Sequence, residues 1–195
     1  MSCRAFMLER LFFLLHRAGR VARARMWRIA GQPAFARRGR ASKIFGWRAI
    51  RVGKGATIGD ACWIQAVERY GAQSFRPSIS IGDDVHLSDA VHISAVSSIE
   101  IGNGCLLGSR IYIGDHAHGD SADDAHLSVP PARRPLARVE PIRIGDDCWI
   151  CDGAVILAGT RLAPGCIVAA NAVVRLTADV ACVIAGNPAT IVKRL

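Results

Sequence analysis

The chain has 195 residues, 51% of them hydrophobic and only 6% aromatic, so it can bury one sizeable core of Ile, Val, Leu, Ala and Cys and is not a disordered polypeptide. Its net charge of +9 is unevenly placed: residues 1–54 hold 14 Lys/Arg and one acid, Glu9, whereas residues 55–195 hold 11 Lys/Arg against 15 acids. A basic arm on a mildly acidic body gives no ground for nucleic-acid binding, and seven cysteines without a signal peptide argue against a disulfide scaffold.

Residues 1–45 form the basic arm. Within 1–40, Arg10, Arg17, Arg20, Arg23, Arg25 and Arg28 alternate with Phe6, Leu8, Leu11, Leu14, Leu15, Val21, Met26 and Trp27, which suits an amphipathic helix. Two readings stand side by side. The helix lies on an anionic membrane surface, or it packs on the body and displays its arginines to water. The apolar run Leu11 to Leu15 is too short to span a bilayer or to serve as a signal-peptide core, so the chain reads as cytoplasmic.

From residue 46 the chain becomes periodic. An aliphatic residue recurs every six positions at Ile144, Ile150, Ile156, Leu162, Val168 and Val174. Shorter runs share the spacing: Val52, Ile58, Ile64; Ile81, Leu87, Ile93, Ile99; and Ile101, Leu107, Ile113. Gly-Asp or Gly-Asn often follows, as at Gly59-Asp60, Gly82-Asp83, Gly102-Asn103, Gly114-Asp115 and Gly145-Asp146, which is turn chemistry. Four places after the aliphatic residue stands a small one, such as Cys62, Cys105, Cys148, Ala154 or Cys166. The spacing predicts a solenoid of short strands and turns around a narrow core. Such a core admits few aromatics.

The period fails twice. Residues 65–78 read as an irregular coil, and residues 117–141 as a loop extruded from the solenoid, since Ile113 and Ile144 are not separated by a multiple of six. After Val174 the repeat ends, and Gly186-Asn187-Pro188 marks the close of the body.

These hexads resemble those of the hexapeptide-repeat acyltransferases, from Ile50 to Leu195. The resemblance implies an all-β, left-handed parallel β-helix of three hexads per coil, assembled as a homotrimer with each site between two subunits. It further implies acetyl-CoA as co-substrate and a carbohydrate acceptor. Galactoside, maltose and xenobiotic acetyltransferases place a catalytic histidine at a strand end just before an extended loop. His116 matches that position, in Asp115-His116-Ala117-His118-Gly119, and imidazole suits proton abstraction near neutral pH. The His-Ala-His-Gly context resembles the branch that O-acetylates surface polysaccharides.

The neighbours of His116 differ in role. His118 is the rival base, a substrate contact or a solvated side chain. Asp115 is an orienting carboxylate or, as one of the Gly-Asx pairs, a turn residue. Ile144-Gly145-Asp146-Asp147-Cys148-Trp149-Ile150-Cys151 is similar to the family stretch Ile-Gly-x-x-x-Trp-Ile-Gly, which implies Trp149 at the cleft and Cys151 in the position of the second glycine. The run Ala169-Ala170-Asn171-Ala172 is similar to the segment whose amides bind pantetheine, so Ala170 is a coenzyme contact, and Arg175 and Lys193 are candidates for its phosphates. Cys148-x-x-Cys151 is explained by packing, because Cys148 occupies the small-residue slot. No metal is expected. The alternative enzyme is a zinc lyase similar to the β-helical carbonic anhydrases, with ligands drawn from His86, His92, His116 and His118. A non-enzymatic β-helical assembly module is the third reading.

Overall fold

The computed structural model describes the backbone from residue 3 to residue 195 and side chains from Leu14 onward; the expectations for Phe6, Leu8, Arg10 and Leu11 lie outside the described residues. Each hexad forms one short strand. Three residues after the inward aliphatic side chain, the backbone turns into the left-handed region, at Ala61, Asp84, Ala90, Arg110, Asp147 and Asn171, and at glycines 55, 104, 153 and 165. A single left-handed residue breaks the extended run and turns the chain through a corner. Three corners complete a coil.

Successive coils stack in parallel, giving three sheets of eight, six and six strands. The first face includes Thr57–Ile58, His86–Leu87, Leu106–Leu107, Trp149–Ile150 and Ile167–Val168. The second includes Trp63–Ala66, His92–Ala95, Tyr112–Gly114, Val155–Leu157 and Val173–Val174. The third includes Ile50–Val52, Ser78–Ile81, Ser98–Ile101, Ile142–Ile144 and Arg161–Leu162. The architecture is the left-handed parallel β-helix expected from the repeat.

In-register stacking puts like on like. Ile64, Ile93, Ile113, Ile156 and Val174 form one inner ladder, each with no exposed surface. Each such side chain is stabilised by about 1.5–3 kcal/mol through burial. Cys62, Cys105, Cys148 and Cys166 lie buried in the small-residue slot as expected. Burial pushes the Cys62 thiol up to about 11, and the Cys105 hydrogen bond, with burial, pushes that of Cys148 upward. Neither is a ready nucleophile.

The glycines of the Gly-Asx pairs do a different job from the one predicted. They are not left-handed; Gly59, Gly82, Gly102 and Gly145 let coils approach. A Cβ at Gly82 would lie 2.7 Å from the carbonyl carbon of Gly102, and one at Gly102 would lie 2.7 Å from that of Gly145. The Asx side chains then bridge coils: the Asp83 N–H donates to Asn103 Oδ1 (2.8 Å), and the Asn103 N–H to Asp146 Oδ1 (2.7 Å).

The solenoid begins earlier than residue 46. Arg37–Arg38 and Lys43–Phe45 already pair with Thr57–Ile58 and with Trp63 to Gln65, and Phe35 is buried in the core ahead of them. The arm itself is α1, Cys3–Ile29, and it packs on this first coil. It does so through its polar side. Arg20 Nη2 donates to the Ile58 carbonyl (2.7 Å), Arg23 Nε to that of Arg38 (3.2 Å), and the Arg38 guanidinium sits 4.5 Å above the Trp27 ring. The expectation that a packed helix would turn its arginines to water is therefore reversed for Arg20 and Arg23. At the far end, Cys182–Gly186 and Ala189–Arg194 form an antiparallel hairpin on the first face, so Gly186-Asn187-Pro188 is its turn.

Both interruptions of the period emerge on one side and clasp each other. Residues 69–74 form a small hairpin, Arg69–Tyr70 against Gln73–Ser74. The extruded segment is rooted by Ala117–His118 pairing with Leu136–Ala137 and carries a short helix, α2, at Asp124–Leu127. Gln73 exchanges two hydrogen bonds with the Leu136 backbone (2.6 and 3.0 Å), and the Tyr70 hydroxyl donates to the Ala132 carbonyl (2.6 Å).

Candidate active site

His116 stands where the second face ends and the extruded segment departs. Its neighbour Asp115 has no exposed surface. The Asp115 carboxylate accepts three hydrogen bonds: from the Val96 N–H (2.9 Å), the Ser97 N–H (2.7 Å) and His116 Nδ1 (2.9 Å). An aspartate fixed by two backbone amides is a rigid acceptor, so the His116 Nδ1 carries the proton and Nε2 keeps its lone pair. Like the other Asx side chains, that of Asp115 bridges to the previous coil's corner, and it adds a bond to His116.

His116 borders a cavity of about 130 Å³ shared with Ala117, Arg138, Leu157, Ala158 and Arg175. Arg175, expected near coenzyme phosphates, lines this cavity and is held by Glu140 at 2.8 Å. Arg138 is held by Asp120 at 2.7 Å. Two guanidiniums tethered by carboxylates keep their positions while leaving donor groups for an incoming oxygen.

The His118 ring lies edge to face with that of His116 at 6.5 Å, but its Nδ1 is engaged elsewhere. Its Nδ1 lies 3.1 Å from the Tyr70 hydroxyl, with the rings edge to face at 5.2 Å. Because Tyr70 donates its own proton to Ala132, His118 Nδ1 is the donor in that contact. His118 thus joins the clasp between the two insertions.

One chain does not bring the remaining candidates to His116. Trp149 is half-exposed on the first face, between Leu106 and Ile167, with Cys151 and Ala170 at the corners beyond that face. Lys193 pairs with Val183 on the same face. The Cys151 thiol is raised by burial and by Asp152, which disfavours its thiolate.

Two residues beside the site are not singled out by sequence as a pair. His92 and Tyr112 sit on successive strands of the second face, directly above one another, with Trp63 beyond. His92 stacks on Trp63 at 4.7 Å and meets the Tyr112 ring at 5.3 Å. Burial, aided by His116, holds His92 below its ordinary value, and its buried Nε2 has no hydrogen-bond partner. Burial and Asp115 raise the Tyr112 phenol. The available signal is positional: Trp63, His92 and Tyr112 each immediately precede an inward isoleucine. His86 lies apart on the first face, bonded to Thr57 Oγ1 at 2.8 Å. Among the described residues no three His, Cys, Asp or Glu side chains form a metal-binding group.

Comparison with known proteins agrees with this architecture. The model of the bacterial transferase hexapeptide (six repeats) matches residues 141–175. WbbJ of Escherichia coli strain K12, named for O-acetyl transfer in lipopolysaccharide biosynthesis, is 36% identical over 122 residues, 61% of this chain and 62% of that protein. Rv3034c of Mycobacterium tuberculosis, named as an acetyltransferase, is 32% identical over 144 residues, 74% of this chain and 44% of that one. The chain therefore spans less than two thirds of either relative. Among solved structures, a variant of AntD, an N-acyltransferase from Bacillus cereus in complex with dTDP-4-amino-4,6-dideoxyglucose and coenzyme A, superposes with a TM-score of 0.66 at 14% identity, covering 84% of this chain and 82% of that one. The chain carries the hexapeptide repeat over residues 141–175 and shares the β-helical fold of that N-acyltransferase.

Proposed function

We propose that the protein transfers an acetyl group from acetyl-CoA to a sugar hydroxyl in surface polysaccharide biosynthesis, with His116 as general base. The observation that carries this reading is the buried Asp115 carboxylate on His116 Nδ1, which leaves Nε2 available to the cavity beside Arg175. Nε2 takes the acceptor hydroxyl's proton as that oxygen attacks the thioester carbonyl carbon. The tetrahedral intermediate collapses, the carbon–sulfur bond breaks, and the imidazolium returns the proton to the coenzyme's sulfur. The Asp115 carboxylate stabilises the imidazolium between those steps. The likeness to WbbJ supports an O-linked sugar acceptor, and that to AntD supports an acyl-CoA donor. An acetyl-CoA-dependent reaction of this kind belongs in the cytoplasm.

A cavity of about 130 Å³ holds an acetyl group but neither a sugar nor pantetheine, since small-molecule sites run to roughly 300–1,000 Å³. We infer that a second subunit completes the site, as in a homotrimer, and that Trp149, Cys151, Ala170 and Lys193 on its first face receive the coenzyme. Thiol release from acetyl-CoA with a glycan panel tests the chemistry: His116→Ala loses at least about a hundredfold in kcat, and full activity in that variant overturns the assignment. Mixing inactive His116→Ala and Trp149→Ala chains tests the shared site. Mixed assemblies regain activity if the two residues come from different subunits, and stay inactive if they act within one chain.

A further inference from the structure

The first coil carries a helix that is inside out. Arg20, Arg23 and Trp27 face the β-helix together with buried Ala24. On the opposite side, Leu14, Ala18, Val21, Ala22 and Ile29 follow helical spacing, with Leu15 and Met26 on the flank. Leu14 and Leu15 are 64% exposed, Met26 54% and Ile29 88%. Together with Arg17 and Arg25, most of this face borders an open apolar groove of about 770 Å³. A soluble helix does the reverse, turning apolar residues to the body and arginines to solvent.

Charge decides what covers this face. Arg17, Arg25 and Arg28 lie within or beside the apolar strip, and residues 10–54 contain no acid. Two copies docked through this face would set arginine against arginine with no carboxylate between them, which disfavours self-association. A phospholipid surface meets both requirements. Acyl chains take the leucines, isoleucine and methionine, and headgroup phosphates take the guanidiniums, whose alkyl stems reach outward along the strip. No helix among the described residues is long and apolar enough to cross a membrane, so the contact is interfacial.

We propose that α1 docks the protein on an anionic phospholipid surface through the Leu14–Ile29 face, independently of the chemistry at His116. The lipid phosphates would be bound by Arg17, Arg25 and Arg28, and the arginines turned inward, Arg20 and Arg23, would hold the helix to the first coil while it is loaded. The docking face lies on a helix packed against the first coil and shares no residue with the His116 cavity, so it sets where the enzyme works and leaves its catalytic groups untouched.

Flotation of the full chain tests this with two vesicle types, phosphatidylcholine alone and phosphatidylcholine with phosphatidylglycerol. The wild type is expected to float with the anionic vesicles, less so as salt rises, and to stay behind with the neutral ones. The double variant Leu14→Glu/Ile29→Glu should weaken that binding at least about tenfold, and Arg17→Gln/Arg25→Gln by about tenfold or more. All four substituted positions are exposed, so an unchanged unfolding midpoint is the control for folding. Absence of flotation at low salt overturns the proposal, as does equal binding to both vesicle types or indifference to both variants. A loss of assembly mass in Leu14→Glu/Ile29→Glu would also overturn it, because the face would then be an interface between copies.

Discussion

Replacing Asp115 by Asn changes one oxygen to an amino group inside a fully buried site, and the three hydrogen bonds accepted there set the consequence. If the amide oxygen stays on the side of Val96 and His116, the amino group faces the Ser97 N–H, which loses the acceptor it had at 2.7 Å. One charge-assisted bond disappears and two donors, the Ser97 N–H and the new amino group, are left facing each other, a destabilisation of about 2–3 kcal/mol or more. His116 keeps its orientation, but the imidazolium formed during transfer loses its carboxylate, which should lower kcat about a hundredfold. In the flipped orientation the amino group faces His116 Nδ1, which must then accept. The proton moves to Nε2, no base remains, and the loss approaches about ten-thousandfold, as for the equivalent change in serine proteases. Urea unfolding gives the stability term, and thiol release under saturating acetyl-CoA gives kcat. A variant destabilised as expected yet within twofold of wild-type kcat would refute the orienting role and leave Asp115 a purely structural residue.

Other outcomes rest on the same geometry. Gly102→Ala should cost at least about 2 kcal/mol, because its Cβ would press on the next coil's backbone, whereas Gly71→Ala, with open space around it but a left-handed φ of 55°, should cost only about 1 kcal/mol; thermal melts distinguish them. Tyr70→Phe removes the donor to Ala132 and the acceptor for His118, so residues 120–134 should be cleaved faster in limited proteolysis, with global stability lowered by about 1 kcal/mol. The Cys62 thiol is raised by burial from 9.0 to about 11, so the unfolded chain loses that proton first as pH rises. Its contribution, fully present below about pH 9, should fade toward pH 11 by up to about 2 kcal/mol, and Cys62→Ala should flatten that part of the urea-midpoint profile.

Much of this protein is legible in its sequence because the fold is periodic. A six-residue spacing of aliphatic side chains states which residues face inward, and small residues in a fixed slot state that cysteines there are packing groups. The position of His116 before a long insertion is legible for the same reason, since a break in a regular pattern marks an edge. Other features are not, because they depend on which coil sits above which. The Gly-Asx pairs spell left-handed glycines in sequence, but at Gly59, Gly82, Gly102 and Gly145 the turn is made two residues later, and these glycines answer to the neighbouring coil's backbone. His92 and Tyr112 are twenty residues apart in sequence and become neighbours only when one coil of the solenoid has closed.

The inward ladder, the strand length and the two places where the chain leaves the helix are properties of local spacing, and the amino-acid order is enough to specify them. Contacts between distant coils are not. Three-dimensional packing sets the clasp between the two departures, the reach of Asp115 back to Val96 and Ser97, and the meeting of Arg175 with His116 while Trp149 stays apart. It also sets the direction of α1. Helical periodicity separates the Arg20 face from the Leu14 face but cannot state which one meets the body; carbonyls on the first two coils, those of Arg38 and Ile58, accept the arginines and turn the leucines outward.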